Sequence, residues 1–162
     1  MKPRRSPDKN GQKDLFRTEL RKIIDLGHSL VKLSNVVDWD SMNELFGKTY
    51  CPDNGRPAVS TRLMVSLHYL KYAHNLSDDD VVCACVENPY WQYLSGMKFF
   101  EHELPIHPSS MSRWRKRIGE AGSEELLKET IVAGLKLKAV KPYQLKRVNV
   151  DTSVQDRGFY EV

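Results

Sequence analysis

The segment PSSMSRWRKRIGEAGSEELLKETI, residues 108–131, does more than any other to decide the fold of this 162-residue chain. Ser109 or Ser110, directly after a proline, is a typical helix N-cap. Gly119 interrupts the helical pattern, since glycine is the usual residue just beyond a helix end. The segment therefore predicts a short helix that ends at Ile118.

This helix combines a narrow apolar face with a basic surface. Met111, Trp114 and Ile118 recur every three or four residues and form the apolar face. The polar side chains outside that face are Ser110, Ser112, Arg113, Arg115, Lys116 and Arg117. A short basic helix that follows another helix and a turn is typical of a helix-turn-helix recognition helix, which contacts double-stranded DNA in the major groove. A basic surface helix without a ligand fits the same pattern.

The remainder of residues 14–140 also predicts helices. Capping signals and apolar spacing place them at about 14–33, at 41–46, from 60 or 61, from 77 and at 123–138, while Pro89 either ends or restarts a helix. In the last of these helices, Leu127, Ile131 and Leu135 are the expected buried side chains. We therefore predict a mainly α fold, with one helical domain over residues 14–140.

Composition and charge narrow the class of protein. The chain has a net charge of +4 and a mean hydropathy of −0.53, and it contains no apolar run long enough to cross a bilayer. The start of the chain has no apolar signal-peptide core, which predicts a cytoplasmic protein. Residues 1–13 contain five basic side chains, among them Arg4 and Arg5, and one acid. They predict a flexible basic arm that can contact DNA phosphates.

Beyond Pro142 the sequence changes from a helical to an alternating pattern. Val148 and Val150 face one way and Asn149 and Asp151 the other, as in a half-buried strand. Aspartate is depleted in strands, so Asp151 needs a reason. A metal-ligand role and a merely exposed strand face explain it equally well.

Four blocks between residues 55 and 155 resemble the N-terminal half of bacterial insertion-sequence transposases of the insertion-sequence-five (InsH-like) type. The blocks are GRPAVSTRLMVSLHYLKYAHNLSDDDVV, VENPYWQYLSGM, HELPIHPSSMSRWRKRIGEAG and RVNVDTSVQ. The resemblance implies a helical DNA-binding domain that recognises the terminal inverted repeats of the element. It also implies a ribonuclease-H-like catalytic domain that begins within residues 141–162.

The same resemblance implies that Asp151 is the first acid of an aspartate-aspartate-glutamate triad that binds Mg²⁺. Only eleven residues follow Asp151, too few for the other acids of the triad. We therefore expect a truncated, nucleoid-associated transposase that binds DNA, holds no Mg²⁺ and does not cleave DNA alone. Pairing with a second copy or with intact transposase is a further expectation. Two alternatives stay open: a repressor or inhibitor of transposition, and one half of a split transposase that a second chain completes.

Overall fold

The residues that the computed structural model describes, 17–50 and 58–139, form seven helices. They are α1 (Leu20–Ile23), α2 (Ser29–Val36), α3 (Trp39–Gly47), α4 (Thr61–His74), α5 (Asp78–Glu87), α6 (Pro89–Leu94) and α7 (Ser109–Lys136). Within these two ranges, the only β-type backbone pairing is an isolated antiparallel bridge between Glu19 and Phe99. None of the seven helices has the length and apolar composition that crossing a bilayer requires. The predicted mainly α fold is confirmed for the described residues.

Helix α4 lies at the centre of the fold and contacts α3, α5, α6 and α7. Its buried side chains include Leu63, Met64, Val65, Leu67, His68 and Leu70. The surrounding helices complete the core with Phe46 of α3, Val82 of α5, Leu94 of α6 and Trp114 of α7. A helix with apolar residues on most of its sides is stable only when neighbours cover it, so α4 organises the packing of the others.

The single helix predicted over 14–33 is wrong, because the chain turns between α1 and α2. The Gly27 N–H donates a hydrogen bond to Asp25 Oδ1 over 2.8 Å. The side chain of His28 then caps α2 by accepting from the Leu30 N–H over 3.2 Å. Side chains that bond to the nearby backbone compete with continued helix, and here they lie in the turn between Ile23, the end of α1, and the start of α2.

The other predicted helix starts agree with the structure more closely. Ser77 and Asp80 form the predicted capping box at the start of α5. Of the two possibilities for Pro89, the structure shows the restart, since Pro89 is the first residue of α6. Helix α3 contains the predicted range 41–46 and begins slightly earlier, at Trp39.

Helix α7 is interrupted at Gly119, where the sequence predicted a helix end. Gly119 has φ +65° and ψ −163°, a backbone conformation that essentially only glycine adopts. The chain is helical on both sides of Gly119, so a single non-helical residue stands where the sequence predicted a loop between two helices. We call residues 109–118 the first half of α7 and residues 120–136 the second half.

The two halves bury different amounts of their predicted apolar faces. In the first half Met111, Trp114 and Ile118 are all buried, as predicted. In the second half the prediction for Leu127 is wrong, because its side chain is 60% exposed. The second half packs on the core through the neighbouring side, which carries Leu126 and Ala133, and Leu137 packs there just beyond the helix end. The break at Gly119 interrupts the helical repeat, so the buried face of one half cannot be extended to the other.

The structure does not confirm the predicted helix-turn-helix motif. Fourteen residues separate Leu94 at the end of α6 from Ser109 at the start of α7, whereas the motif has a turn of three or four residues. The predicted arm over residues 1–13 and the predicted strand over 147–154 lie outside the described residues.

Candidate nucleic-acid interface

The orientation of the basic first half of α7 is fixed by its apolar anchors. Trp114 lies between two rings, with its centroid 5.2 Å from that of Phe46 and 4.8 Å from that of His68. Met111, one turn earlier, is fully buried. Because these side chains fix the rotation of the helix, each basic residue has a defined direction.

Two of the predicted DNA-contacting residues bind an acid of the same chain. The Arg115 guanidinium donates to both carboxylate oxygens of Asp78, over 2.8 and 2.7 Å. The Ser112 hydroxyl donates to Asp78 Oδ2 over 2.9 Å, and Lys71 Nζ donates to Oδ1 over 2.5 Å. We call Lys71, Asp78, Ser112 and Arg115 the Asp78 cluster. It ties together α4, α5 and α7.

The electrostatics of the Asp78 cluster favour a permanently ionised carboxylate. The Asp78 side chain is only 15% exposed. Hydrogen bonds from Arg115 lower the pKa of Asp78 far below its ordinary value, although partial burial acts in the opposite direction. A bidentate arginine–carboxylate pair is among the strongest contacts in proteins. In this arrangement the Arg115 donors face Asp78 and contribute to the position of α7.

His68 lies buried beside this cluster. Its Nδ1 is 2.7 Å from the Met64 carbonyl oxygen, which identifies Nδ1 as the protonated nitrogen and a donor. Its Nε2 is then an unprotonated nitrogen that faces Arg115 Nη1 at 3.4 Å. Burial lowers the pKa of His68, so the imidazole is neutral at pH 7. His68 is therefore a packed, neutral imidazole.

A second face of the first half of α7 is left open by the residues that the structure describes. Ser110, Arg113 and Arg117, spaced by three and four residues, line a groove together with Tyr50. The groove has a volume of about 260 Å³. Arg113 and Arg117 are exposed, and the Arg117 guanidinium lies over the Tyr50 ring, 4.6 Å from its centroid. We call these four residues the arginine groove.

The arginine groove presents cationic donors to a surface cleft. Arginine at the mouth of a groove suits an anion with several oxygens, such as a phosphodiester, because its planar fork donates two parallel hydrogen bonds. Stacking on Tyr50 restricts the rotamers of Arg117, which lowers the entropy lost when it binds. Lys116 is exposed next to the groove and adds a further positive charge.

The sequence did not reveal two contacts of the basic residues: Arg115 binds Asp78, and Arg117 lies over Tyr50. Tyr50 directly precedes a proline- and glycine-rich stretch, and nothing in its local pattern points to Arg117. Asp78 opens a run of three aspartates in the first turn of α5, where the helix dipole favours negative charge, and nothing in that run points to Arg115. It is 37 residues from Arg115 in sequence, so only the packing of α5 on α7 brings them together.

The other predicted site residues lie outside the described residues. These are Arg4 and Arg5 of the arm and Asp151 of the strand, whose proposed Mg²⁺ binding stays a prediction. Within 17–50 and 58–139, no group of three or more His, Cys, Asp or Glu side chains could hold a metal ion.

Residues 18–117 match the family model described as a transposase domain (DUF772). The chain belongs to this transposase family. The matched range ends at Arg117, so it contains the arginine groove and the Asp78 cluster but not the second half of α7. The chain is also 52% identical over 155 residues to "Uncharacterized protein ORF8 in nfe locus" of Rhizobium meliloti, covering 96% of this chain and 74% of that protein. No solved structure matches the chain.

Proposed function

We propose that this transposase-family chain binds double-stranded DNA, at the terminal inverted repeats of an insertion sequence of the insertion-sequence-five type. The observation that carries the proposal is the arginine groove on a helix whose first half contains four bases and no acid. Its position inside the matched transposase domain supports a role in transposition.

Helix α7 suits DNA better than α5 does. Helices α4 and α5 are separated by three residues, the spacing of a helix-turn-helix, which makes α5 the alternative recognition helix. However, α5 opens with Asp78, Asp79 and Asp80. The N-terminal turn of a recognition helix approaches phosphates and base edges, and three carboxylates there would be repelled.

The proposal divides the six predicted contact residues of α7 into two groups. Arg113, Lys116 and Arg117 contact DNA, with Ser110 as an additional hydrogen-bond donor from the same groove. Arg115 and Ser112 instead position the helix through Asp78. Arginine reads guanine through two acceptors in the major groove, whereas a phosphate contact carries no sequence information.

The experiment measures duplex affinity by fluorescence anisotropy. Selection from a random duplex library first gives the preferred sequence, and a scrambled duplex serves as the reference. If Arg113 reads a base edge, Arg113→Ala costs about 1 to 3 kcal/mol on the preferred duplex and much less on the scrambled one. If Arg117 contacts a phosphate, Arg117→Ala weakens both duplexes equally and reduces the log–log salt slope by about 1.

Arg21→Ala is the matched control, because Arg21 is an exposed arginine of α1 and its removal changes the net charge equally. Its effect should be small on both duplexes. Equal losses for Arg21→Ala, Arg113→Ala and Arg117→Ala would show that the arginine groove is not the interface.

A further inference from the structure

The arginine groove contains apolar surface as well as cations. Four largely apolar side chains complete its lining: Ala58, Val59, Met64 and Trp114. We call these four residues the apolar wall. A phosphate that is held by arginines needs no apolar surface, whereas apolar surface is stabilised when a ligand covers it. The apolar wall therefore indicates a ligand that has an apolar part beside its negative charge.

Two planar groups of the arginine groove are stacked on each other. The Arg117 guanidinium lies 4.6 Å from the centroid of the Tyr50 ring. Tyr50 is half-buried and packs against the core, so its ring is held in place. Nucleobases that have left the double helix stack on aromatic rings and on the planes of arginine side chains. The stacked pair is therefore a suitable surface for a flat aromatic ligand.

The apolar wall also contains a hydrogen-bond donor without a partner. Trp114 is 3% exposed, and its Nε1 has no acceptor in the part of the chain that the structure describes. Buried N–H groups are nearly always paired, because leaving one unpaired costs free energy. A ligand that brings an acceptor to this wall removes that cost. Nucleobases carry carbonyl and ring-nitrogen acceptors on the edges of their apolar rings.

The size of the arginine groove suits a single base. Its volume of about 260 Å³ lies just below the range of about 300 to 1,000 Å³ that is typical of pockets for drug-sized ligands. A paired base cannot enter the groove, because it is stacked between its neighbours and presents only an edge. A base that has left the stack exposes both faces and all its edges. The groove therefore fits an unpaired nucleotide better than a paired one.

We propose that the arginine groove receives one unpaired nucleotide of the bound DNA. Its base lies against the stacked pair of Tyr50 and Arg117 on one side and against the apolar wall on the other. Arg113 donates to the edge of this base, and the exposed Lys116 attracts the phosphates beside it. This inference rests on the proposed DNA binding and adds the chemical form of the ligand. Such a site favours DNA in which a base pair is already disrupted, because less energy is spent on unstacking the base.

Fluorescence anisotropy with the full chain tests the proposal on a series of duplexes. Each duplex has the preferred sequence and one extra, unpaired thymine, which is placed at a different step in each. The reference for each is the same duplex with an abasic nucleotide in place of the thymine, so that only the base differs. At one or more steps the thymine duplex should bind about fivefold more tightly than its abasic reference, or better, since a stacked base contributes at least that much.

Substitutions of Tyr50 test whether the arginine groove is the site of this preference. Tyr50→Ala should reduce the ratio of thymine to abasic affinity to about one, whereas Tyr50→Phe keeps the ring and should keep the ratio. Tyr72→Ala is the matched control, because Tyr72 is 67% exposed and lies outside the groove. Loss of a phosphate contact changes both affinities together, so the ratio reports on the base alone. Circular dichroism checks that each variant remains folded.

Equal affinity for the thymine and abasic duplexes at every step would overturn the inference. If Arg113→Ala and Arg117→Ala still weaken binding to the fully paired duplex in that case, the proposed function stands without it. A chain that binds none of the duplexes would contradict both. Thymidine monophosphate should not displace the thymine duplex at an equal concentration, since it lacks the neighbouring phosphates. Displacement would make a free nucleotide the ligand of the groove, which also contradicts the inference.

Discussion

The two halves of α7 belong to one helical element but are held in place by different forces. The first half has three buried anchors and the Asp78 cluster, which connects it to α4 and α5. The second half packs on the core through Leu126 and Ala133, with Leu137 just beyond its end, and its ion pair between Lys128 and Glu125 is exposed.

This difference shows why charge density alone does not identify a binding surface. All four bases of the first half are equivalent in the sequence, yet one faces Asp78 while another lies over Tyr50 in an open groove. The base that is half-buried and paired inside the protein contributes to stability, and exposed bases remain available to a polyanion.

Removing the Asp78 carboxylate should have the largest effect on the first half. Asp78→Ala is expected to lower the free energy of unfolding by about 2 to 3 kcal/mol, because it leaves Arg115 and Lys71 without their shared acceptor. Urea denaturation measures the change.

Asp79→Ala is its control, since Asp79 is exposed in the same helical turn and shares the favourable helix-dipole interaction. It should cost about 0.3 to 1 kcal/mol. If both variants lose the same stability, the Asp78 cluster contributes nothing beyond the helix dipole.

The junction between the two halves should be the next most sensitive position. Gly119→Ala is expected to cost about 1 to 3 kcal/mol, because alanine is strained at φ +65° and ψ −163°. No neighbouring atom lies within 4 Å of a Cβ placed there, so the cost comes from the backbone and not from a clash.

Gly47→Ala is the control, because Gly47 also has an open Cβ position but no positive φ. It should leave the urea midpoint unchanged or raise it slightly. A neutral Gly119→Ala would show that the two halves can join as one uninterrupted helix.

The pH dependence of stability should reflect the buried imidazole of His68 in α4, which packs against Trp114 of the first half of α7. Burial lowers the pKa of His68 in the folded protein. Below about pH 6.5, the ordinary pKa of histidine, the imidazole is therefore protonated more fully in the unfolded chain than in the folded one. The His68 contribution to stability is therefore full above that pH and falls as the solution becomes more acidic. The slope from this single group is limited to about 1.4 kcal/mol per pH unit.

Urea unfolding between pH 7.5 and 5 measures this slope in the parent and in His68→Gln. The variant is expected to be less stable at pH 7.5 but to show a shallower decline toward pH 5. Parallel declines in the two proteins would assign the pH dependence to other groups.

The fold was predictable from the sequence wherever local chemistry determines an element. The capping box of Ser77 and Asp80, the restart at Pro89 and the interruption at Gly119 are each set by residues within a few positions. The helix over 14–33 was wrong because the backbone is extended at Ile24 and at His28, in a turn that also contains the Gly27–Asp25 hydrogen bond.

The candidate site was predictable only as a list of residues. Periodicity identified Trp114 as an anchor and the bases as surface residues, but it could not show which base has an acid within reach. Asp78 comes from another helix, and its pairing with Arg115 depends on how α5 and α7 pack. The opposite error occurred at Leu127, where helical spacing predicted burial on a side of the helix that does not face the core.

The smallest effect should come from the ion pair of the second half. Lys128 donates to Glu125 over 2.5 Å, but both side chains are largely in water, where solvent and salt screen the pair. Lys128→Ala should therefore leave the urea midpoint unchanged within error at 0.15 M salt. The Arg115→Ala variant, measured under the same conditions, should lower the midpoint clearly, because Arg115 pairs with a largely buried carboxylate. Similar midpoints for Arg115→Ala and the parent would mean that the Asp78 cluster is no stronger than a surface pair, and the distinction between the two halves of α7 would fail.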